Sequence, residues 1–383
     1  MRVLFWNQVY LPNIGGVEIL TSRLARGLLA KGHEIAVVAD RHRAELAEAE
    51  VLEGVEIHRL PFRRALGSTG EAAPVRVRLI HAVTAAAAKI KQQFAPDIVH
   101  VNMADGNGLF HLRTASAWRC ATIVTPQAAL DHRAEGETAI AGTLLDMADR
   151  VVAVSETSAA NVAERSGIAR TAIEIIYPGI PPEAFAPAGA ADPPLDRTFV
   201  FLGRLVPEKG AGLLIEAIRK VPSASLIIIG DGPQRAQLTA MAEGYRLAER
   251  VTFAGAVDDE ERRRLLSRSL AIVVPSLHQE LFGMVAIEAA MCGRPAIVSG
   301  AGGLAEAVAD GLTGLHVPPG DIAALAGAMR TLGADAALAT RLGSAARERA
   351  LRLFAADIMV DRHERLYRRC LDTIAEGQVN ARA

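Results

Sequence analysis

Short apolar runs of four to six residues recur along this chain, and most are followed by a stretch whose apolar residues keep helical spacing. A strand period that repeatedly gives way to a helix period is hard to fold as anything but α/β. Val3 to Trp6 is the first run. The loop from Asn7 to Gly16 leads to a helix marked by Leu20, Leu24 and Leu28, with Lys31-Gly32 as a cationic last turn and stop. Ile35 to Ala39 comes next, and two parallel strands joined by a helix make a βαβ unit. Val55 to Leu60, Ile98 to Val101, Thr122 to Thr125, Val151 to Val154 and Ile173 to Tyr177 continue the series. The expected product is a doubly wound parallel sheet.

A chain of 383 residues, half of them hydrophobic, suits two cores better than one. The boundary is written in composition. Pro178, Pro181, Pro182, Pro187, Pro193 and Pro194 fall within a short stretch that also holds Ala-Gly-Ala-Ala at 188–191, which is linker chemistry. The predicted division is an N-terminal domain over 1–178, a linker over 179–197 and a second domain over 198–355. In the second half the alternation restarts, with strands at Thr198 to Gly203, Ser225 to Gly230, Val251 to Ala254, Leu270 to Val274, Ala296 to Ser299 and Leu315 to Val317. Leu213 to Lys220 and Arg235 to Arg246 read as helices between them. The expected architecture is α/β, two doubly wound Rossmann-like domains facing a central cleft at their C-terminal strand ends. Residues beyond Gly377 read as a frayed tail.

Charge and cysteines narrow the function classes. Lys and Arg number 42 against 43 Asp and Glu, and aromatics make up 4%, so neither a basic footprint nor a stacking platform for nucleic acid is present. Cys120, Cys292 and Cys370 are odd in number and far apart, which fits a reducing, cytoplasmic setting. Charged residues interrupt every apolar stretch before it reaches bilayer length. Arg63, Arg64, Arg76, Arg78, Lys89 and Lys91 flank an alanine-rich helical stretch. It reads as a solvated basic face or as a peripheral contact with anionic headgroups at the inner face of a membrane.

The chemistry concentrates between Val274 and Gly293. An apolar strand stops at Pro275, and from Gly283 the period changes, with Met284, Ile287 and Met291 on one stripe of an amphipathic helix. Glu280 precedes that helix and Glu288 lies within it. Phe282, Gly283 and Met284 are at its N-terminus, where unsatisfied N–H groups attract an anion. Two carboxylates flanking a phosphate site suit a nucleotide sugar. Upstream, Gly203-Arg-Leu-Val-Pro-Glu-Lys-Gly210 follows a strand. Arg204 offers a planar fork and Lys209 a point charge for a diphosphate. Gly230-Asp-Gly-Pro233 is a glycine-rich turn at another strand end. In the first half, Asn13-Ile-Gly-Gly-Val-Glu18 opens a long helix with Gly15 and Gly16, and Asn102, Asp105 and Asn107 follow a strand as turn formers or hydroxyl partners.

The segment Glu280-Leu-Phe-Gly-Met-Val-Ala-Ile-Glu288, with Gly293-Arg-Pro295 after it, resembles the E-x7-E signature of glycosyltransferase family 4, the retaining nucleotide-sugar transferases of GT-B fold. Gly203 to Gly210 is similar to the family's Gly-Arg-x5-Lys-Gly loop. Gly230 to Pro233 and Phe253 to Val257 are similar to the segments beside the nucleotide, and Gly15-Gly16 to the loop after the first strand. The resemblance implies catalytic roles for Glu280, Arg204 and Lys209. It implies donor contacts from Glu288, Phe282, Gly283, Met284, Gly203, Gly15, Gly16, Val257 and Gly230. It also implies a C-terminal helix, 356–383, that crosses back to the first domain. Many family members carry a histidine after the strand that ends at Thr125. Gln127 holds that position here, and with Asn102 it is an acceptor-side candidate. His132 is not promoted.

The implied reaction is sugar transfer from a nucleotide diphosphate sugar to a hydroxyl acceptor (glycan, lipid-linked sugar or small metabolite) in glycan, polysaccharide or glycolipid biosynthesis. No cofactor is expected. No Asp-x-Asp pair follows a strand and no His/Cys metal spacing occurs, so leaving-group charge falls to Arg204, Lys209 and helix-terminal amides. Asp258-Asp259-Glu260-Glu261 before Arg262 reads as a helix start. Two alternatives stand beside this one. Gly300-Ala-Gly-Gly-Leu-Ala305 matches G-x-G-x-x-A, with Asp321 at the distance of a ribose-binding acid, as in an NAD(P)-dependent oxidoreductase. The departure at Gln127 suits a non-catalytic nucleotide-sugar-binding protein.

Overall fold

The computed structural model describes residues 1–13, 15–130, 135–187, 195 and 197–380. The chain forms two compact units, 1–179 together with 356–383, and 180–355. The first opens with β1 (Arg2–Asn7), α1 (Gly16–Ala30), β2 (Glu34–Asp40), β3 (Ala49–Leu52), β4 (Val55–Leu60), α2 (Phe62–Leu66) and α3 (Ala73–Phe94). It continues with β5 (Ile98–Asn102), α4 (Gly108–Arg113), β6 (Ala121–Thr125), α5 (Glu135–Asp146), β7 (Arg150–Ala153), α6 (Glu156–Ser166) and β8 (Ile173–Ile175). These strands form one eight-stranded sheet in the order β3-β4-β2-β1-β5-β6-β7-β8.

Seven of the strands run parallel, and β3 pairs antiparallel with β4 at the edge. That edge departs from the wholly parallel sheet read from the sequence. The two strands are joined through Glu53 and Gly54, both at positive φ, which turn the chain back at once and leave no room for a crossover helix. All four residues of β3 are exposed, so no apolar run announces it.

The second unit holds β9 (Thr198–Leu202), α7 (Ala211–Arg219), β10 (Ser225–Ile229), α8 (Arg235–Gly244), β11 (Val251–Gly255), α9 (Asp259–Arg268) and β12 (Ala271–Val274). Then come α10 (Met284–Met291), β13 (Ala296–Ser299), α11 (Gly303–Ala307), β14 (Gly314–Val317), α12 (Ile322–Ala334) and α13 (Ala336–Leu353). Six parallel strands are ordered β11-β10-β9-β12-β13-β14, over a core that includes Phe199, Leu214, Ile228 and Met329. The last helix, α14 (Ala356–Asn380), belongs to the first unit and packs on α1. Gly27 makes that packing close, since a Cβ there would lie 2.3 Å from a methyl of Val360. The helix continues to Asn380, three residues past the point where the sequence reads as a tail.

The strand order reverses beside the first strand of each unit. β1 lies between β2 and β5, and β9 lies between β10 and β12. Loops leaving the carboxyl ends of such neighbours diverge to opposite faces, and the crevice between them is where α/β sheets bind ligands.

Two features correct the sequence reading. Met284 to Met291 is not amphipathic, because every residue from Ala286 to Met291 is buried, as in a helix enclosed on all sides. Lys91, grouped above with lipid-facing bases, has no exposed surface. Its ammonium donates to the His111 carbonyl at 3.2 Å and lies 5.6 Å from the Trp6 ring. Burial pulls its pKa down to about 8, with Cys120 opposing the shift. The folded value lies below the unfolded one, so between pH 8 and about 10.4 the unfolded chain holds a proton that the folded chain has lost. Stability therefore rises across that window, by about 3 kcal/mol in total at 1.36 kcal/mol per unit. Lys91→Met is expected to remove this rise and to stabilise the protein at pH 7 by about 1–3 kcal/mol. Urea unfolding at pH 7 and pH 9.5 measures both.

Candidate functional site

In the second unit the loops that follow β9 and β12, on either side of the reversal, meet side chain to side chain. Lys209 Nζ donates to Glu280 Oε1 at 2.6 Å, and Ser276 Oγ donates to the same oxygen at 2.7 Å. Both members of the ion pair are largely sheltered, with side chains 22% and 16% exposed. Burial pushes the Glu280 carboxyl up, but the Lys209 charge, the bonds from Lys209 and Ser276 and the nearby His278 outweigh it. The net result lies below the usual carboxylate value. Glu280 is therefore an anion at neutral pH, and it accepts hydrogen bonds without donating any.

Main-chain packing holds these loops. Gly210 sits at φ +72°, and a Cβ on it would lie 2.1 Å from the Pro275 carbonyl, so the β9 loop lies directly on the β12 loop. The Leu277 N–H donates to the Glu208 carbonyl at 2.8 Å, adding a hydrogen bond across the same contact. On the other side, a Cβ on Gly230 would meet the Gly203 carbonyl at 2.0 Å. Gly203 and Gly230 thus lock the strand ends together.

The glycines at 300–303 serve the same end. Gly303 donates its N–H to the Glu280 carbonyl at 2.7 Å, and a Cβ on it would lie 2.2 Å from the Leu281 carbonyl. Gly302 and Gly303 are met by the 280–282 backbone and Gly300 by the His316 side chain, which accounts for these glycines without a dinucleotide. Asp321 is likewise accounted for, because its carboxylate caps α12 by accepting from the Ala324 N–H at 2.8 Å. The oxidoreductase alternative thus loses both features that suggested it.

The remaining residues named from the sequence divide by exposure. Arg204 is exposed, and among the described residues its guanidinium makes no hydrogen bond or ion pair. Phe282 is buried against Phe354, with ring centroids 5.3 Å apart at 78°. Gly283, at φ +116°, precedes α10 with no side chain capping it, and Met284 begins the helix half-buried. Val257 is half-buried at the end of the β11 loop. Glu288 lies one turn inside α10, 7% exposed, with Oε2 at 3.5 Å from Arg262 Nε. Arg262 also pairs with Asp259 at 2.8 Å and lies over the Phe185 ring. Asp258 caps α9 by accepting from the Glu261 N–H, as its acidic start suggests.

In the first unit a second polar cluster occupies the carboxyl ends of β1 and β5, beside that sheet's own reversal. The Thr21 hydroxyl donates to the Val17 carbonyl at 2.9 Å and can then only accept from other groups. It accepts from the amides of Asn7 and Asn102, at 3.0 and 3.1 Å. Asn102 also donates to Asn7 Oδ1 at 3.2 Å, which leaves Asn102 Oδ1 to accept from Gln127 Nε2 at 3.3 Å. The direction of each bond is thus set from α1 outward, and Gln127 presents its oxygen as an acceptor. Asn102 is a buried network member, and not the exposed turn former it resembles in sequence. Gly15 is extended and pressed by Glu18, whose Oε2 would lie 2.4 Å from a Cβ there. Gly16 has open space around it. His132 lies outside the described residues.

Sequence reasoning missed Ser276, Arg262, Asn7 and Thr21. The Pro275-Ser276 end of β12 was a visible signal for the first. The other three carry none, because their partners are brought in by the sheets.

Two family models match in tandem: the one described as Glycosyltransferase Family 4 over residues 14–184, and the one described as Glycosyl transferases group 1 over 186–349. A glycogen synthase of Mycobacterium tuberculosis is 29% identical over 380 residues, covering 91% of this chain and 90% of the relative. A solved sucrose-phosphate synthase from Thermosynechococcus elongatus superposes with a TM-score of 0.82 at 25% identity, covering 97% of this chain and all of that one. Anabaena HepE in complex with UDP superposes at 0.79 with 20% identity, covering 96% and 99% of the two chains.

The Lys209–Glu280 pair yields a direct expectation. Lys209→Met leaves the burial of Glu280 opposed only by Ser276 and His278, so its pKa should climb. A carbon NMR titration of labelled glutamate side chains reads the change. With two α/β units of parallel strands at the solved neighbours' topology, and transferase models matched along both, the chain belongs to the family 4 glycosyltransferases and is a sugar-transferring enzyme of the GT-B type.

Proposed function

We propose that the protein transfers a sugar from a nucleoside diphosphate sugar to a hydroxyl acceptor with retention of anomeric configuration and without a metal ion. The observation that carries this reading is the sheltered Lys209–Glu280 pair at the β9–β12 reversal, with the unpaired Arg204 guanidinium on the same β9 loop. Arg204 and Lys209 take up the negative charge that grows on the departing diphosphate, and the first N–H groups of α10 add their dipole. Glu280, held ionised, accepts from hydroxyls of the donor sugar. Glu288, whose Oε2 lies 3.5 Å from Arg262 Nε, binds the ribose hydroxyls through its carboxylate. Gly203, Gly230 and Val257 border the nucleotide. In the transfer step, the bond from the anomeric carbon to the phosphate oxygen breaks as the acceptor oxygen bonds on the same face. The acceptor's proton passes to the departing phosphate. No protein nucleophile is required.

Gln127, held through its amide nitrogen by Asn102, accepts from a hydroxyl of the sugar acceptor through its remaining oxygen. UDP is the first nucleotide to test, since it is the ligand of the HepE complex. We place the reaction in glycan, polysaccharide or glycolipid synthesis in the cytoplasm, a compartment that the three free cysteines suit.

Thermal unfolding against UDP, GDP, ADP and NAD tests the assignment. A ligand at a hundred times its Kd should add about 2.7 kcal/mol of stability. One nucleoside diphosphate is expected to stabilise the protein, with the effect lost in Arg204→Ala and reduced in Glu288→Ala. Glu280→Gln should lower kcat by about 10²–10³-fold in the presence of EDTA, a loss typical of one electrostatic group at a reacting centre. Stabilisation by NAD alone, unaffected by these changes, would overturn the reading. Anomeric NMR of the product decides retention.

A further inference from the structure

A cavity in the first unit is lined by none of the residues assigned above. It measures about 570 Å³, within the roughly 300–1,000 Å³ usual for small-molecule sites, and it opens where β2 and β4 end at Asp40 and Leu60. Leu60, Val83, Ala86 and Ile90 supply apolar lining, and Arg41, Arg59, Arg63 and Arg64 line it together with the carboxylates of Asp40 and Glu48. Apolar lining beside guanidinium groups suits a molecule with one anionic end.

The guanidinium groups differ in how far they are committed. Arg41 is spent on its own loop, with bonds to Leu46, Ala44 and Glu48. Arg63 is anchored through Nε to Asp40 at 2.8 Å, with a long contact from one terminal nitrogen to the His42 carbonyl at 3.4 Å. Arg64 is anchored through Nε alone, to Glu71 at 2.9 Å. Among the described residues the other terminal nitrogen of Arg63 and both of those of Arg64 have no protein partner. A guanidinium fixed at Nε with its terminal fork free is preorganised for a planar or tetrahedral anion.

The wider charge pattern agrees. From Pro61 to Phe94 the bases are Arg63, Arg64, Arg76, Arg78, Lys89 and the buried Lys91, against Glu71 alone, in a chain whose overall charge is −1. Arg76 folds back toward the α2–α3 turn, close to Gly67, and neither it nor Arg78 forms an ion pair among the described residues. The local field favours a phosphate over a carboxylate, since a phosphate carries more charge and more acceptor oxygens.

We propose that this cavity binds the phosphate or diphosphate group of the sugar acceptor through Arg63 and Arg64, with an adjoining apolar portion lying on α3. The acceptor is then a phosphate-bearing molecule and not a neutral glycan. This rests on the transferase reading for the word acceptor, but the binding site itself does not.

Calorimetric titration with dodecyl phosphate below its micelle concentration, with inorganic phosphate and with dodecanol separates the contributions. Dodecyl phosphate is expected to bind, dodecanol not, and Arg63→Ala with Arg64→Ala to weaken binding at least tenfold. Ala82→Trp, which blocks the cavity without changing charge, should abolish dodecyl phosphate binding and spare inorganic phosphate. That variant keeps the test intact if the double arginine variant fails to fold. Binding to phosphatidylglycerol vesicles with none to the monomeric alkyl phosphate would assign the bases to a bilayer surface and overturn the cavity as a discrete site. Failure of every phosphate probe, with UDP still stabilising the wild type, would overturn this inference alone. Loss of UDP binding with dodecyl phosphate binding intact would overturn the donor assignment instead.

Discussion

The Lys209–Glu280 ion pair is the constraint on which the proposed donor site depends. It joins two loops that leave neighbouring strands in opposite directions, so nothing in local sequence holds them together. What does is backbone packed on backbone, at Gly210 against Pro275 and at Gly303 against Leu281. Each approach is too close for any Cβ. Side chains at these glycines would force the loops apart by about an ångström and lengthen the Lys209–Glu280 contact, on which a carboxylate that burial disfavours depends. The ion pair and the glycines therefore form one device, in which close main-chain packing places a charge pair at the sheet's reversal.

The first unit solves a similar problem with neutral groups. Asn7 and Asn102 end adjacent strands, and Thr21 reaches them from α1, so three elements distant in sequence share one hydrogen-bond chain. Its polarity follows from a helix carbonyl that can only accept. A buried network satisfied in one direction is rigid, because reversing any amide would break a bond without replacing it. Nearby, His100 joins Tyr367 and Thr125 through its two ring nitrogens, tying α14 to the sheet it returns to. Burial holds that histidine neutral across physiological pH, so this contact stays structural.

Alternation of apolar runs made most strands legible, because a parallel sheet covered on both faces needs continuous apolar segments. Failures came where that rule does not apply. β3 is exposed along its length and has no hydrophobic signal. The stripe of Met284, Ile287 and Met291 suggests an amphipathic helix, but the alanines on the other side and even Glu288 are enclosed. Lys91 looked like a surface base because its charge was read without the core that surrounds it. Among the site residues, those carried by glycine-flanked segments were visible, since unusual backbone needs leave a mark in composition. Ser276, Arg262, Asn7 and Thr21 are common residues in ordinary contexts, and only their partners distinguish them.

The sequence by itself determined the α/β class, the repetition of strand and helix in two halves, the cysteine chemistry and the segments able to carry an anion. Those are local matters of period, turn residue and charge. Tertiary structure decided which strands are neighbours, and hence that Lys209 faces Glu280, that Gly302 and Gly303 meet the 280–282 backbone and that Asn102 orients Gln127. It also decided that some arginines of one basic stretch line a cavity while a lysine of the same stretch lies in the core. The physical reason is that strand order sets which loop ends meet, and strand order depends on long-range pairing that no local window contains.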